Sequence, residues 1–284
     1  MINEQFLELA KKLPKEVTEK AVALVEKMGE EIEGIGDEPI TWRPNFLRLI
    51  QATSDRSKLP KGTAPGALVL GEEVLEQPVS VIPLRVWNSR QYWDPDHDAN
   101  RQLCFSPDAI VGLKGNCRGC PHALFNEEMR KSDCGVVKNF LVITEDLSDI
   151  FFIQFAKTNY SNGKDWEGVL KKAGVAPYRR VYNLETFTNP SYKNVESVGA
   201  KPKGETPAKY NDFLEALMRQ FGEDRKEYIA EFRKMAEERR QAAEAQQEQL
   251  GHDSSDVALE HIPEEESTAS SSEATDSGAK SYSL

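Results

Sequence analysis

The sequence from Val137 to Ala156 reads VKNFLVITEDLSDIFFIQFA, two apolar runs separated by a short acidic and polar stretch. Val, Ile and Phe favour strands, whereas the Glu, Asp and Ser residues between the runs are typical of a turn. We therefore predict two strands, Val137–Thr144 and Ile150–Ala156, at the centre of a strand-rich region.

Four further strands and one helix are predicted around this pair. The strands are expected at Ala67–Leu70, Val79–Trp87, Arg180–Thr188 and Asn194–Val198. The helix, Lys164–Ala173, is followed by Gly174, a typical helix-ending residue. Short strands with a single helix indicate an α+β fold built on a small β-barrel, and a five-stranded oligonucleotide-binding (OB) barrel is the natural candidate.

The flanks of this region have other patterns. Residues 4–33 carry apolar side chains at helical spacing, and Pro14 is expected to split them into two helices. Residues 207–250 are helical and highly charged, with a break expected at Gly222. The chain thus divides into a helical segment and linker (1–40), an OB-like core (41–203), a charged helical segment (204–250, with a linker at 201–206) and a tail (251–284). The tail is Ser-rich and acidic, which predicts disorder.

Charge is distributed unevenly along the chain. Residues 1–40 have five basic and ten acidic side chains, residues 41–203 have 22 and 18, and residues 204–284 have nine and 19. A mildly basic middle between acidic flanks suggests a core that binds a polyanion, although an excess of four charges over 163 residues is also unremarkable. The acidic tail would compete with the polyanion for the basic groove of this core, recruit partner proteins, or only increase solubility.

All four cysteines lie in one short stretch, Cys104, Cys117, Cys120 and Cys134. Four thiolates are a typical ligand set for a closed, tetrahedral structural zinc site. Such a zinc ion would organise a loop that has little apolar content of its own. Unrelated buried thiols, a redox pair, and replacement of one thiolate by His122 are the alternatives.

Several aromatic residues of the middle region, where all four tryptophans lie, have basic neighbours in the sequence. Single-strand binders combine a positive groove for phosphates with flat rings on which bases stack. The residues expected to contact phosphates are Arg43, Arg85, Arg90, Arg118, Lys157, Arg179 and Arg180. Those expected to stack on bases are Trp87, Trp93, Tyr160, Trp166 and Tyr178. Aromatic residues of strands are also common in hydrophobic cores, and we interpret Phe140, Phe151 and Phe187 as core residues.

Several motifs together resemble a known family. They include PNFLRLIQ at 44–51, CFSPD at 104–108, GNCRGCP at 115–121, Cys134 and FAKT at 155–158. About residues 44–198 resemble bacteriophage single-stranded DNA-binding proteins of OB type with an inserted four-cysteine zinc knuckle. The resemblance implies an OB-like core that coats single strands during phage replication, recombination or repair. The acidic tail is similar to the tails with which such proteins recruit replication partners, although it ends in Leu284 rather than Phe.

We therefore expect a non-enzymatic, largely sequence-independent single-stranded DNA-binding protein with structural zinc. One alternative is a transcription cofactor that contacts RNA polymerase through its helical ends. A second is a metal-dependent nuclease using the acidic stretch 94–98, although these residues also suit a solvated turn. The N-terminus lacks signal-peptide features and no apolar run is of membrane-spanning length, so we expect the cytoplasm of an infected bacterium.

Overall fold

The computed structural model describes residues 4–29, 31–32, 40–41, 44–94, 101–127, 132–192 and 194–253. By its internal contacts the chain divides into a unit of residues 1–242 and a second unit of residues 243–284. In the described residues, the second unit consists of the C-terminal part of the last helix. Beyond Asp253, the tail that was predicted to be disordered lies outside the described residues.

Four α-helices and 13 strands are described. The helices are α1 (Glu4–Lys11), α2 (Lys15–Gly29), α3 (Tyr160–Ala173) and α4 (Asn211–Asp253). The first strands are β1 (Glu31–Ile32), β2 (Ile40–Thr41), β3 (Asn45–Leu49), β4 (Leu68–Leu70), β5 (Glu73–Leu75) and β6 (Val79–Trp93). The remainder are β7 (Gln102–Ser106), β8 (Val111–Gly112), β9 (Gly115–Asn116), β10 (Cys134–Thr144), β11 (Ile150–Phe155), β12 (Arg180–Thr188) and β13 (Glu196–Glu205).

Nine strands form one curled, half-barrel sheet. Its order is β13-β12-β6-β10-β11-β3-β4-β5, and β7 pairs with β6 beside this path. The two strands predicted from the opening stretch are present, and they form the antiparallel pair β10–β11 with Val142 opposite Phe151. Only β11 and β3 are parallel among the described pairs, with Phe152 opposite Phe46. The structure thus confirms an α+β fold with a curled sheet.

The central strands have both faces buried, which explains their nearly continuous apolar sequences. One face, the α3 face, buries Phe140 and Val142 with Trp166 of α3. The other, the α4 face, buries Leu141 and Ile143 against α1, α2 and the start of α4. Successive side chains of β10 therefore enter two different cores.

Helix α3 lies very close to the sheet at Gly163. A Cβ atom added there would lie 2.7 Å from Cβ of Phe155. The missing side chain lets Trp166 stack on Phe140, with ring centroids 4.1 Å apart. Beside this contact, the nearly buried Lys138 of β10 forms an ion pair with Glu167 of α3 at 2.5 Å. Helix α3 thus fills the α3 face of the curled sheet.

Several predicted boundaries need correction. Strand β6 continues to Trp93, beyond the predicted end at Trp87. Residues 201–206, interpreted as a linker, mostly belong to β13, and α4 runs through Gly222 without a break. The two helices separated at Pro14 are confirmed. In the part of the chain that the structure describes, no helix combines the length and the apolar character needed to cross a bilayer.

Candidate nucleic-acid interface and cysteine cluster

Three aromatic rings form a row on the α4 face, where the helices leave the sheet partly open. Phe46 of β3 lies 5.2 Å from Phe152 of β11, centroid to centroid, and Phe152 lies 5.8 Å from Trp87 of β6. Phe46 is 52% exposed, whereas Phe152 and Trp87 are half-buried at the edge of the core. We call these three residues the aromatic row. Its rings are of the kind on which bases stack.

Two guanidinium groups lie beside the Trp87 end of the aromatic row. The Cζ atom of Arg225, from α4, lies 5.0 Å from the Trp87 ring centroid, a cation–π geometry. Burial lowers the pKa of Arg225, and nearby Arg85 lowers it further, while Asp108 opposes the shift. Arg85 lies on the same face as Phe152, because both pair with Leu141. This end of the row therefore carries positive charge.

A buried polar ladder borders the aromatic row. Asn139 of β10 is 3% exposed and donates from Nδ2 to Oγ of Ser89 at 2.9 Å. Its Oδ1 accepts a bond from Nε2 of Gln154, 3.0 Å away. Gln154, Asn139 and Trp87 lie side by side on neighbouring strands. The ladder satisfies polar groups that would otherwise be costly in a sheet core, and it holds the exposed Gln154 next to Phe152.

Helix α4 is held over this face by contacts with β7 and with the loop that follows it. Arg233 pairs with Asp108 at 2.5 Å, and Arg225 donates to the carbonyl oxygen of Pro107 at 2.9 Å. The Phe232 ring meets the Phe105 ring edge-on at 5.9 Å. The Asp108 side chain is only 7% exposed and also accepts the backbone N–H of Ile110 at 2.8 Å. We call Asp108, Arg225 and Arg233 the α4 clamp.

The four cysteines come together in the fold although they are spread over 31 positions of the chain. Cys104 of β7 and Cys134 of β10 are both paired with Tyr92 of β6, one on each side. Cys117 and Cys120 approach from the turn after β9, and all four line one cavity with Lys114, His122 and other residues. The His122 ring stacks on Tyr92 at 4.3 Å. This set of thiols is the cysteine cluster.

The electrostatics of the cysteine cluster disfavour uncompensated thiolates. Burial raises the pKa of Cys117 and of Cys134, and the neighbouring cysteines raise both further, while Arg90 opposes the shift. Arg90 also donates to the carbonyl oxygen of Cys134 at 3.3 Å. Among the described side chains, no group of three or more His, Cys, Asp or Glu residues is already arranged as a metal site. The donor chemistry nevertheless fits a thiophilic cation, because four sulfur atoms line one cavity.

The predicted stacking residues have different outcomes. Trp87 belongs to the aromatic row, and Trp93 is exposed at the end of β6. Tyr160 is half-buried at the start of α3. For Trp166 and Tyr178 the structure corrects the prediction. Trp166 is 2% exposed within the α3-face core, and Tyr178 is 4% exposed and donates to Glu215. Neither ring offers a face to a base.

The predicted basic residues also separate. Arg85 lies beside the aromatic row, whereas Arg90 is occupied at the cysteine cluster. Arg118, Lys157 and Arg179 are exposed elsewhere, and Arg180 faces Glu205 at 3.7 Å. Arg43 lies outside the described residues, as does the acidic stretch considered for a nuclease, apart from Asp94.

Sequence reasoning missed Phe46, Phe152 and Arg225. The signal for Phe152 was present in the run IFFIQF, because adjacent strand residues point to opposite faces and two neighbouring Phe residues cannot both enter one core. The sequence around Arg225 does not indicate a functional role, since a charged residue on a highly charged helix is expected to lie in solvent. In comparisons with known proteins, no family model, no curated protein and no solved structure matches the chain.

Proposed function

We propose that this chain binds single-stranded DNA across the aromatic row, with little sequence preference. The observation that carries the proposal is the continuous contact from Phe46 through Phe152 to Trp87, capped by the guanidinium of Arg225. Each base stacked on an aromatic side chain contributes about 1–3 kcal/mol by alanine substitution. Stacking is sequence-tolerant because every base has a π face.

Charge supports the same ligand. Arg225 and Arg85 lie at one end of the row, and Arg48 of β3 is exposed two residues after Phe46, on the same face. Arg48 donates to the carbonyl oxygen of Gly71 at 2.7 Å, which holds its chain across the strand end. A DNA strand whose bases stack on the aromatic row would therefore meet positive charge at both ends of the row.

We also propose that the curled sheet is an OB-type barrel. Barrels of this type are partly open and bind oligonucleotides on a sheet face and its flanking loops. The open part of the α4 face, bordered by α4 and β3, would be that binding surface. The resemblance to phage proteins supports a role in DNA replication, recombination or repair within an infected bacterium, with the acidic tail as partner contact or competitor.

We propose further that Cys104, Cys117, Cys120 and Cys134 hold one structural zinc ion. Zinc supplies four bonds to thiolates and thereby folding free energy to a loop without an apolar core. The role of the zinc ion here would be indirect, since the cysteine cluster shares its loop with Asp108 of the α4 clamp and with Pro107, which accepts a hydrogen bond from Arg225. A metal-ordered loop would hold α4, and with it Arg225, over Trp87.

Fluorescence anisotropy of a labelled oligo-dT strand and of a blunt duplex tests the function. We expect the single strand to bind at low salt, the duplex to bind much more weakly, and the affinity for the strand to fall steeply as salt rises. Equal affinity for both ligands would overturn the proposal of single-strand binding, and no binding of either at low salt would overturn nucleic-acid binding altogether.

A further inference from the structure

A glycine inside α4 makes room for an arginine of the sheet. Gly222 is buried in the helix, where glycine is among the least favourable residues. A Cβ atom at this position would lie 2.0 Å from Nη1, 2.6 Å from Cζ and 2.9 Å from Nη2 of Arg85. The Arg85 guanidinium therefore lies directly against the helix backbone. An alanine would displace it while leaving the helix intact, because only the end of a flexible side chain has to move.

A second guanidinium is close to the first. Arg225 follows Gly222 by three residues, so both lie on the same side of α4. The positive charge of Arg85 lowers the pKa of Arg225, so the two guanidinium groups repel each other. Two half-buried like charges repel each other in an environment that screens them less than water does. The pair is therefore unfavourable unless a negative group lies near both.

No carboxylate of the described residues supplies that negative group. The Arg85 side chain has neither a hydrogen bond nor an ion pair within the described part of the chain, and no carboxylate of the described residues lies within 4.0 Å of the Arg225 guanidinium. Asp108, the acid coupled to Arg225, is engaged with Arg233 instead. The guanidinium pair thus retains N–H donors that no carboxylate of the described residues accepts, and it lies beside Trp87 of the aromatic row.

We infer that Arg85, Arg225 and Gly222 form a phosphate-binding site for one phosphodiester of a bound strand. Arginine binds phosphate through paired N–H groups, and two arginines can surround its oxygens. The site adjoins Trp87. The phosphate of a nucleotide whose base stacks on the aromatic row would therefore lie near Arg85 and Arg225. This inference rests on the proposed function, because it assigns the phosphate contact of that same interface. Inorganic phosphate shares the oxyanion chemistry and serves as an independent probe.

The first experiment measures thermal unfolding of the full chain in phosphate and in chloride of equal ionic strength. Variants are Arg85→Gln, Gly222→Ala and the control Gly168→Ala, a glycine of α3 with nothing within 4 Å of an added Cβ. We expect phosphate to raise the Tm of wild type and Gly168→Ala more than that of the other two, beyond the general salting effect common to all. Equal phosphate shifts in all four proteins would overturn the site.

The second experiment measures oligo-dT affinity as a function of salt for the same four proteins. Loss of one phosphate contact should reduce the slope of log K against log[salt] by about 0.7. We expect this reduction in Arg85→Gln and Gly222→Ala, but not in Gly168→Ala. If the variants alter the Tm shift in phosphate but leave the salt slope of oligo-dT binding unchanged, the site binds phosphate but not the phosphodiester of a DNA strand, and that assignment is overturned. Absence of oligo-dT binding in wild type would overturn the proposed function, while the phosphate measurement would still judge the site.

Discussion

Gln51 and Glu196 join two strands that lie far apart in the order of the sheet. Nε2 of Gln51 donates to the carbonyl oxygen of Glu196 at 2.8 Å, and the backbone N–H of Glu196 donates to Oε1 of Gln51 at 2.9 Å. The side-chain amide thus imitates a peptide group of a neighbouring strand. Gln51 lies two residues after the end of β3, and Glu196 begins β13. The two hydrogen bonds hold the end of β3 next to the start of β13.

Replacing Gln51 should therefore loosen the closure of the sheet. We expect Gln51→Ala to lower the free energy of unfolding by about 1–3 kcal/mol, because two backbone groups at Glu196 lose their partner. Urea denaturation measures this loss. Gln241→Ala, on the exposed side of α4, is the control and should change stability by less than about 0.5 kcal/mol. A change at Gln51 no larger than that of the control would show that the closure contributes nothing.

The α4 clamp makes unequal contributions. Asp108→Ala should cost about 1–3 kcal/mol, since its buried carboxylate accepts the N–H groups of Ile110 and Val111 as well as pairing with Arg233. Arg233→Ala removes only a half-exposed ion-pair partner and should cost less than about 1 kcal/mol. Urea denaturation of both variants provides the comparison. Equal losses would mean that the ion pair, rather than the loop hydrogen bonds, sets the energy of the clamp.

Acid should weaken the attachment of α2. Lys20 of α2 contacts Asp146 at 2.5 Å, and Lys20, Thr144 and Ser148 hold the pKa of Asp146 at about 2 despite its partial burial, below its ordinary 3.8. A carboxyl whose pKa is lower in the folded state stabilises the fold above pH 3.8 and loses this effect as pH falls towards 2.

Asp146→Asn should consequently flatten the fall of stability between pH 4 and pH 2. Because Asp146 is partly exposed, we expect a difference of about 1 kcal/mol at neutral pH rather than the full value of the shift. Denaturation midpoints across this pH range measure it. Parallel curves for the variant and the wild type would contradict the assignment.

Metal analysis tests the cysteine cluster. We expect about one zinc ion per purified chain, lost on treatment with a strong chelator and greatly reduced in Cys117→Ser and Cys134→Ser. Removal should lower stability and expose the amides of residues 101–127 to hydrogen exchange. A chain that retains no zinc and has the same stability with chelator would show that the four thiols are simply buried cysteines.

Much of the sheet was predictable because its central strands are largely apolar. The end of β6 was not, since Asn88, Ser89 and Arg90 read as a turn. There the backbone is held by pairing with β7 and β10 on both sides, which a single segment does not reveal. Residues 201–206 contain Pro202 and Gly204, and they are tolerated as a strand because β13 lies at the end of the sheet.

The candidate site was predictable only in part. Trp166 was predicted to stack on bases, yet Gly163, Trp166 and Leu170 form the buried side of α3. Residues three and four positions apart share one face of a helix, whatever the charge of their sequence neighbours. The cysteine cluster could be anticipated, because its residue type and spacing are informative by themselves. The aromatic row could not, since Phe46, Phe152 and Trp87 come together only through the pairing of strands distant in sequence.

The most direct test of the central claim is the affinity for oligo-dT of wild type, Phe46→Ala and Phe187→Ala. Phe187 is 40% exposed, comparable to Phe46. It lies on β12 beyond Leu184, which pairs with Val79 at the start of β6, whereas Trp87 lies in the middle of that strand. We predict that Phe46→Ala weakens binding about 5- to 150-fold at constant salt, the equivalent of one stacked base. Phe187→Ala should change the affinity less than about twofold. Equal affinities of all three proteins would contradict the assignment of the aromatic row as the DNA-binding surface.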